Sequence, residues 1–333
     1  STNPSSWAIA SAAMVWVCLY GATQSEGRRQ IVLGALAVIG AIIGAGARAD
    51  AAMYAVFAVL LAAVLGARRG RSMLIPAVAA GLVIVVSAAF YLSAGQTGAL
   101  TSGFDTGNPP LTGAQHLANL WGIPSLWFGV FGPSGLGWLD TVPPATVTVA
   151  GFGVFAAAVL IGIHRLRPRR AVALALALAA LWAMPFVLLA QSRAMVGTQV
   201  QSRYLLPLMI LLLGIASLAP RIASAWSGPR LVVAGLALTL AMSLSLHDNI
   251  RRYTVGVDSN AIDPGLGAEW WWAAAPSPLT IWLVGTAAFA AVFAILWMLL
   301  RRIDDPADGA IDDPDDGAID ASEPIAQATQ SPR

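Results

Sequence analysis

The apolar residues of this chain come in long blocks instead of alternating with polar ones. Nine runs of roughly 16–22 residues carry few or no charges, at about 7–22, 31–47, 51–67, 72–93, 146–164, 171–191, 204–219, 231–247 and 280–300. A helix rises about 1.5 Å per residue, so about 20 residues cross a hydrocarbon core. In lipid the backbone must satisfy its own hydrogen bonds, and runs of this length do so as helices. The pattern predicts an all-α, polytopic integral membrane protein with about nine transmembrane helices. Only Arg48-Ala49-Asp50 separates the second and third runs, which together are too long for one crossing and fit two.

Composition agrees with that reading. Of 333 residues, 57% are hydrophobic and 11% charged, against about 25% charged in an ordinary soluble domain. All nineteen basic residues are arginine, a compositional bias to which no function attaches. Their distribution sets the topology. Thirteen lie on one set of alternate loops and after the last span, including Arg28, Arg29, Arg68, Arg69, Arg167, Arg169 and Arg170; Arg48, Arg193, Arg203, Arg251 and Arg252 lie on the other. The positive-inside rule makes the first side cytoplasmic, with the N-terminus outside and the C-terminus inside. The basic residues are therefore a loop pattern, and no nucleic-acid partner is expected.

Residues 1–302 form the predicted transmembrane domain, with long outer loops at about 94–145 and 248–279. The first of these loops has no basic residue. Within it, Thr112-Gly113-Ala114-Gln115 reads as a capping box opening a short helix. Trp121, Trp127, Phe128, Phe131 and Trp138 follow, and such rings favour the headgroup level. The expectation is an interfacial helix and a loop lying on the outer surface. Residues 303–333 hold nine acids and one arginine and contain a tandem octapeptide, DDPADGAI then DDPDDGAI. This segment is expected to be a disordered cytoplasmic tail.

Several chemistries are disfavoured. The one cysteine, Cys18, sits in the first apolar run, so no intrachain disulfide and no Cys-based metal site is expected. Three histidines far apart make a metal site improbable. No phosphate-binding loop or dinucleotide fingerprint occurs in a strand-to-helix context, so no cofactor is expected. The first residues lack a basic run and an initiator Met, and no cleavable signal peptide is read there. Gly40 and Gly44 form a small-xxx-small pair that suits close packing inside the bundle.

The informative charges are those at the predicted outer helix ends. Arg203 and Tyr204 open the seventh run in Gln201-Ser202-Arg203-Tyr204-Leu205-Leu206-Pro207. A guanidinium there suits a lipid phosphate, or it snorkels to the headgroups beside an interfacial Tyr. His247-Asp248-Asn249-Ile250-Arg251-Arg252 closes the eighth run. If the helix continues, His247 faces Arg251 and Asp248 faces Arg252 at i,i+4, making a second anion site or a charged helix end. Arg48 and Asp50 read as a local ion pair in their tight turn. Asp50, Asp105 and Asp140 are the acids of the outer loops before the sixth span that could act as a base.

A set of strings, in order along the chain, carries a resemblance. It comprises Asn3-Pro4-Ser5, Phe131-Gly132, Gly137-Trp138-Leu139-Asp140-Thr141, Ser202-Arg203-Tyr204-Leu205-Leu206-Pro207, and Leu246-His247 with Ile250-Arg251-Arg252-Tyr253. The set resembles the bacterial predicted-membrane-protein family labelled domain of unknown function 2142, over about residues 3 to 300. That family looks similar to the GT-C class of integral membrane glycosyltransferases, which take a sugar from a polyprenyl-phosphate donor outside the membrane. The resemblance implies lipid-phosphate contacts for Arg203 and Tyr204, with Arg48, His247, Arg251 and Arg252 as further candidates. It implies a bacterial plasma-membrane location, and as partners membrane lipids, a polyprenyl-phosphate-linked sugar and envelope-synthesis proteins. One departure stands out. The class carries its catalytic acid in the first outer loop, and here no acid precedes Glu26, on the predicted cytoplasmic side.

Two kinds of function follow. The resemblance implies that the chain is a GT-C-like protein of cell-envelope glycan assembly, performing polyprenyl-phosphate-dependent glycosyl transfer or binding the carrier for it. Alternatively, it is a non-catalytic carrier transporter or flippase, or a scaffold of an envelope-synthesis complex. Span centres nearly free of charge count against ion-coupled transport.

Overall fold

A computed structural model of the chain describes residues 4–95, 107–135, 140–163, 166–218, 225–226, 228–256 and 261–304. The predicted acidic tail beyond 304, Asp105 and Trp138 lie outside the described residues. Among the described residues ten α-helices follow one another: α1 Pro4–Thr23, α2 Gly27–Ala47, α3 Ala49–Gly66, α4 Leu74–Ser93, α5 Gly113–Gly129, α6 Ala145–Ile163, α7 Pro168–Gln191, α8 Leu206–Ala216, α9 Pro229–Thr254 and α10 Pro278–Asp304. Eight are long and apolar enough to cross a membrane, α5 and α8 being the others. The predicted span at 204–219 is realised as a 3-10 turn, Ser202–Leu205, leading into the short α8. Pro207 in the first turn of α8 suits a helix start, where its missing N–H leaves no bond unmade.

The core lies where α1, α2, α3, α7 and α8 meet. α1 packs on α2, α3 and α8, while α7 packs on α3 and α8. Val15, Leu61, Leu189, Leu205, Leu211 and Ile215 are fully buried there. Small residues let the axes approach. Gly40 lies against Met14 of α1 and Gly44 against Ser11, so this pair does serve packing inside the bundle. α6, α9 and α10 extend the bundle from α8, α10 touching mainly α9. Large apolar side chains such as Val78, Val85, Leu160 and Val284 stay exposed on the helix flanks. Exposure of this kind suits a lipid solvent.

The capping box forms as expected: Thr112 Oγ1 accepts from the Gln115 amide, and Gln115 Oε1 accepts from the Thr112 amide at 2.8 Å. The helix it opens packs against the bundle. α5 docks on α7 through a reciprocal exchange between two tryptophans and two helix prolines. Pro185 has no N–H for the Leu181 carbonyl, and Pro124 none for that of Leu120. Trp127 Nε1 donates to the Leu181 oxygen at 3.0 Å, and Trp182 Nε1 to the Leu120 oxygen at 2.9 Å. The two indoles meet edge to face, 4.6 Å apart. Each ring thus satisfies a carbonyl that the other helix's proline left free, which matters in a medium without water. Leu181 lies about 15 Å along α7 from its end at Gln191. Trp127 is therefore drawn down the flank of the bundle, and Phe128 and Phe131 pack on Phe152 of α6. Trp121 is 71% exposed.

Candidate functional site

The one-residue turn between α2 and α3 builds the first cluster. Arg48 is at once the C-cap of α2, its amide bonded to Gly44 O, and the N-cap of α3. Asp50 then falls in the first turn of α3, where a carboxylate complements the helix dipole. The local ion pair predicted for these residues is present and bidentate: Arg48 Nε and Nη2 donate to the two Asp50 oxygens at 2.8 and 2.7 Å. Nη1 donates to Ser5 Oγ at 2.9 Å, tying α1 to the same fork. One turn along α3, the Tyr54 hydroxyl donates to the Tyr204 carbonyl at 2.6 Å. That bond holds the start of the Ser202–Leu205 turn against α3. The Tyr204 ring lies 5.3 Å from the Arg48 guanidinium carbon, within cation–π range.

Arg203 completes the cluster without being neutralised by it. It lines a small hollow with Ser5, Arg48, Asp50, Tyr54 and Tyr204. Its Nε is buried and has no hydrogen-bond partner, and no ion pair to it occurs among the described residues. Arg48 and Asp50 cancel, so the cluster keeps one positive charge. Arg48, Asp50 and Tyr204 also line a larger groove of about 870 Å³ between α2, α3, α4 and α7. Met53, Phe90, Val187 and Leu188 give this groove an apolar flank. A cationic head beside an apolar trough matches an amphiphile with an anionic group and a hydrocarbon chain.

The second cluster is organised differently from its i,i+4 expectation. α9 does continue, to Thr254. Yet Asp248 pairs with Arg251 at 3.4 Å and with His247 at 3.4 Å. Arg252 turns away to Asp140, giving two hydrogen bonds of 2.8 and 2.6 Å. The expected Asp248–Arg252 contact is replaced, because a bidentate partner before α6 outcompetes a single i,i+4 contact, and His247 and Arg251 both turn to Asp248 instead of to each other. His247 Nε2 lies 2.9 Å from the Ile262 carbonyl, and its ring stands edge-on to Trp282 at 4.9 Å. Arg251 keeps a buried, unpartnered Nε. The hollow and the groove of the first cluster include none of these residues.

The two candidate bases among the described residues are therefore engaged. Asp50 is held by Arg48, and Asp140 by Arg252, whose hydrogen bonds keep the Asp140 carboxyl below its usual range. A depressed carboxylate is a weaker proton acceptor. Sequence spacing missed Ser5 and Tyr54 as members of the first cluster. Tyr54 had a signal, since Asp50 and Tyr54 are four apart and share a helix face; Ser5 had none.

A family model described as "Predicted membrane protein (DUF2142)" matches residues 1–212. The matched span contains the whole first cluster and ends before the His247–Arg252 stretch. No curated protein and no solved structure matches the chain.

Proposed function

From the premise that this chain belongs to the DUF2142 family of predicted membrane proteins, we propose a carrier-binding role at the membrane. On this reading it is a GT-C-like protein of cell-envelope glycan assembly. It binds a polyprenyl-phosphate sugar carrier for glycosyl transfer, with the phosphate on Arg203 and the chain in the groove beside it. The observation that carries the reading is Arg203: a partly buried guanidinium with an unpartnered Nε, next to an apolar groove. Snorkelling by itself does not call for a buried, unpartnered Nε. Among the described residues, the engagement of Asp50 and Asp140 by arginines supports carrier binding more than base catalysis at these two acids. The second cluster, already paired within itself, contributes less to the anion.

The reading puts the Arg48 end outside the cell. Single cysteines at Ile262 and Leu266, in a Cys18→Ser background, should then react with an impermeant thiol reagent in intact cells, and one at Ser72 should not. Labelling at Ser72 alone would reverse the orientation.

The binding test is affinity for a polyprenyl-phosphate analogue in nanodiscs. Arg203→Ala should weaken it about ten- to hundredfold, the loss of a charge-assisted contact of about 1.5–3 kcal/mol. Arg203→Lys should restore only part, since a point charge lacks the fork. Equal binding by wild type, Ala and Lys variants would remove the phosphate role.

A further inference from the structure

A second cavity, of about 530 Å³, lies at the opposite end of the bundle between the ends of α1, α3 and α7. Arg68, Arg167, Arg169 and Arg170 line it with Tyr20 and Gln24, and no acidic side chain among the described residues does so. Rim and floor differ. Arg68, Arg167 and Arg169 are exposed at the mouth. Arg68 Nη2 donates to Gln24 Oε1 at 2.8 Å, and Arg169 Nη1 to the Ala67 carbonyl at 2.7 Å, so two of the guanidiniums are held in place. Arg170 forms the floor. It is only 5% exposed, and its Nε and Nη2 are buried with no hydrogen-bond partner.

The topology rule accounts for many arginines at this end. It does not account for burying one. Arg28 and Arg29, at the same end, are exposed as that rule needs. Arg167, Arg169 and Arg170 also gather at the N-terminus of α7, where the helix dipole is positive and disfavours cations. A buried guanidinium with two free donors, beside three more cations and a positive helix end, is costly unless an anion sits among them.

We propose that this cavity binds a phosphate group, with Arg170 as its buried donor and Arg68, Arg167 and Arg169 closing around the charge. Guanidinium forks suit phosphate oxygens. The group can come from an anionic lipid headgroup, since basic pockets between membrane helices take such headgroups, or from soluble phosphate or pyrophosphate. The inference stands apart from the Arg203 reading, which concerns the other end of the molecule.

The experiment follows thermal unfolding and native mass spectra of the purified full chain in detergent. One arm titrates phosphatidylglycerol or cardiolipin against phosphatidylcholine; the other titrates inorganic phosphate and pyrophosphate. Saturable binding in the first arm alone assigns the lipid source, and in the second alone the soluble one. Arg170→Gln and the rim pair Arg68→Gln/Arg167→Gln should each raise the apparent Kd about tenfold or more. Arg28→Gln/Arg29→Gln, which removes the same charge from the same end, should leave it unchanged, as should Arg203→Ala. If Arg170→Gln does not fold, the exposed rim pair carries the test. No saturable binding by the wild type in either arm, or an equal loss in the Arg28/Arg29 control, would overturn the proposal.

Discussion

Alanine at Gly162 should clearly lower the thermal midpoint of the purified protein, while alanine at Gly153 of the same helix should leave it unchanged or raise it. The two glycines differ in what their α-carbons face. A Cβ at Gly162 would land on the backbone of Ala216, closest to its carbonyl oxygen and 2.7 Å from its carbonyl carbon. A backbone cannot swing aside as a side chain can, so α6 and α8 would have to part. Forcing extra volume into such a contact typically costs about 1–3 kcal/mol. A Cβ at Gly153 would meet nothing within 4 Å. There the exchange only limits the unfolded chain and favours helix, by about 0.5–1 kcal/mol. The readout is fluorimetric melting in one detergent for both variants. Equal shifts would mean that α6 and α8 do not cross at Gly162. The effect bears on the site as well, because the far end of α8 follows directly on Arg203 and Tyr204.

The parts of this fold legible in the sequence are those decided within one segment. Run length and absence of charge marked the long apolar helices, since each must satisfy its own backbone in lipid. The Thr112–Gln115 box and the Arg48–Asp50 pair depend on residues two or three apart, and both formed as read. The seventh run is where single-segment reading ran short: Arg203 and Tyr204 sit in a 3-10 turn, and the α-helix starts only at Leu206. What spacing could not supply is the partner across the chain. Asp140 and Arg252 are 112 positions apart, so local rules assigned Arg252 to Asp248. Pro124 and Pro185 were visible as helix residues without a donor, but nothing local says that an indole from the other helix covers each gap. The charge left over at Arg203 is likewise a tertiary fact. It exists because Arg48 consumes Asp50, the one acid among the described residues lining that hollow.

That balance can be tipped. Arg48→Ala should destabilise the protein, Arg48→Ala/Asp50→Ala should recover most of the loss, and Asp50→Ala alone should bind the carrier analogue more tightly than wild type. The two side chains are 26% and 28% exposed, so neither is freely solvated. Removing Arg48 leaves the Asp50 carboxylate without both of its guanidinium bonds at the edge of an apolar groove, a loss of about 2 kcal/mol or more. Deleting the carboxylate as well removes the orphaned charge, so the double variant should melt near the wild type. Removing Asp50 alone has the opposite electrostatic sign. It frees the Arg48 fork and raises the cluster from one net positive charge to two, beside a buried Arg203 Nε that lacks a partner. A phosphate should then gain about tenfold, equivalent to about 1.4 kcal/mol. The gain should shrink as salt is added if the freed fork faces solvent, and persist if it is shielded. Weaker binding by Asp50→Ala would instead mean that the carboxylate itself holds the ligand, through a sugar hydroxyl and not through charge. The anion reading of this cluster would then fail.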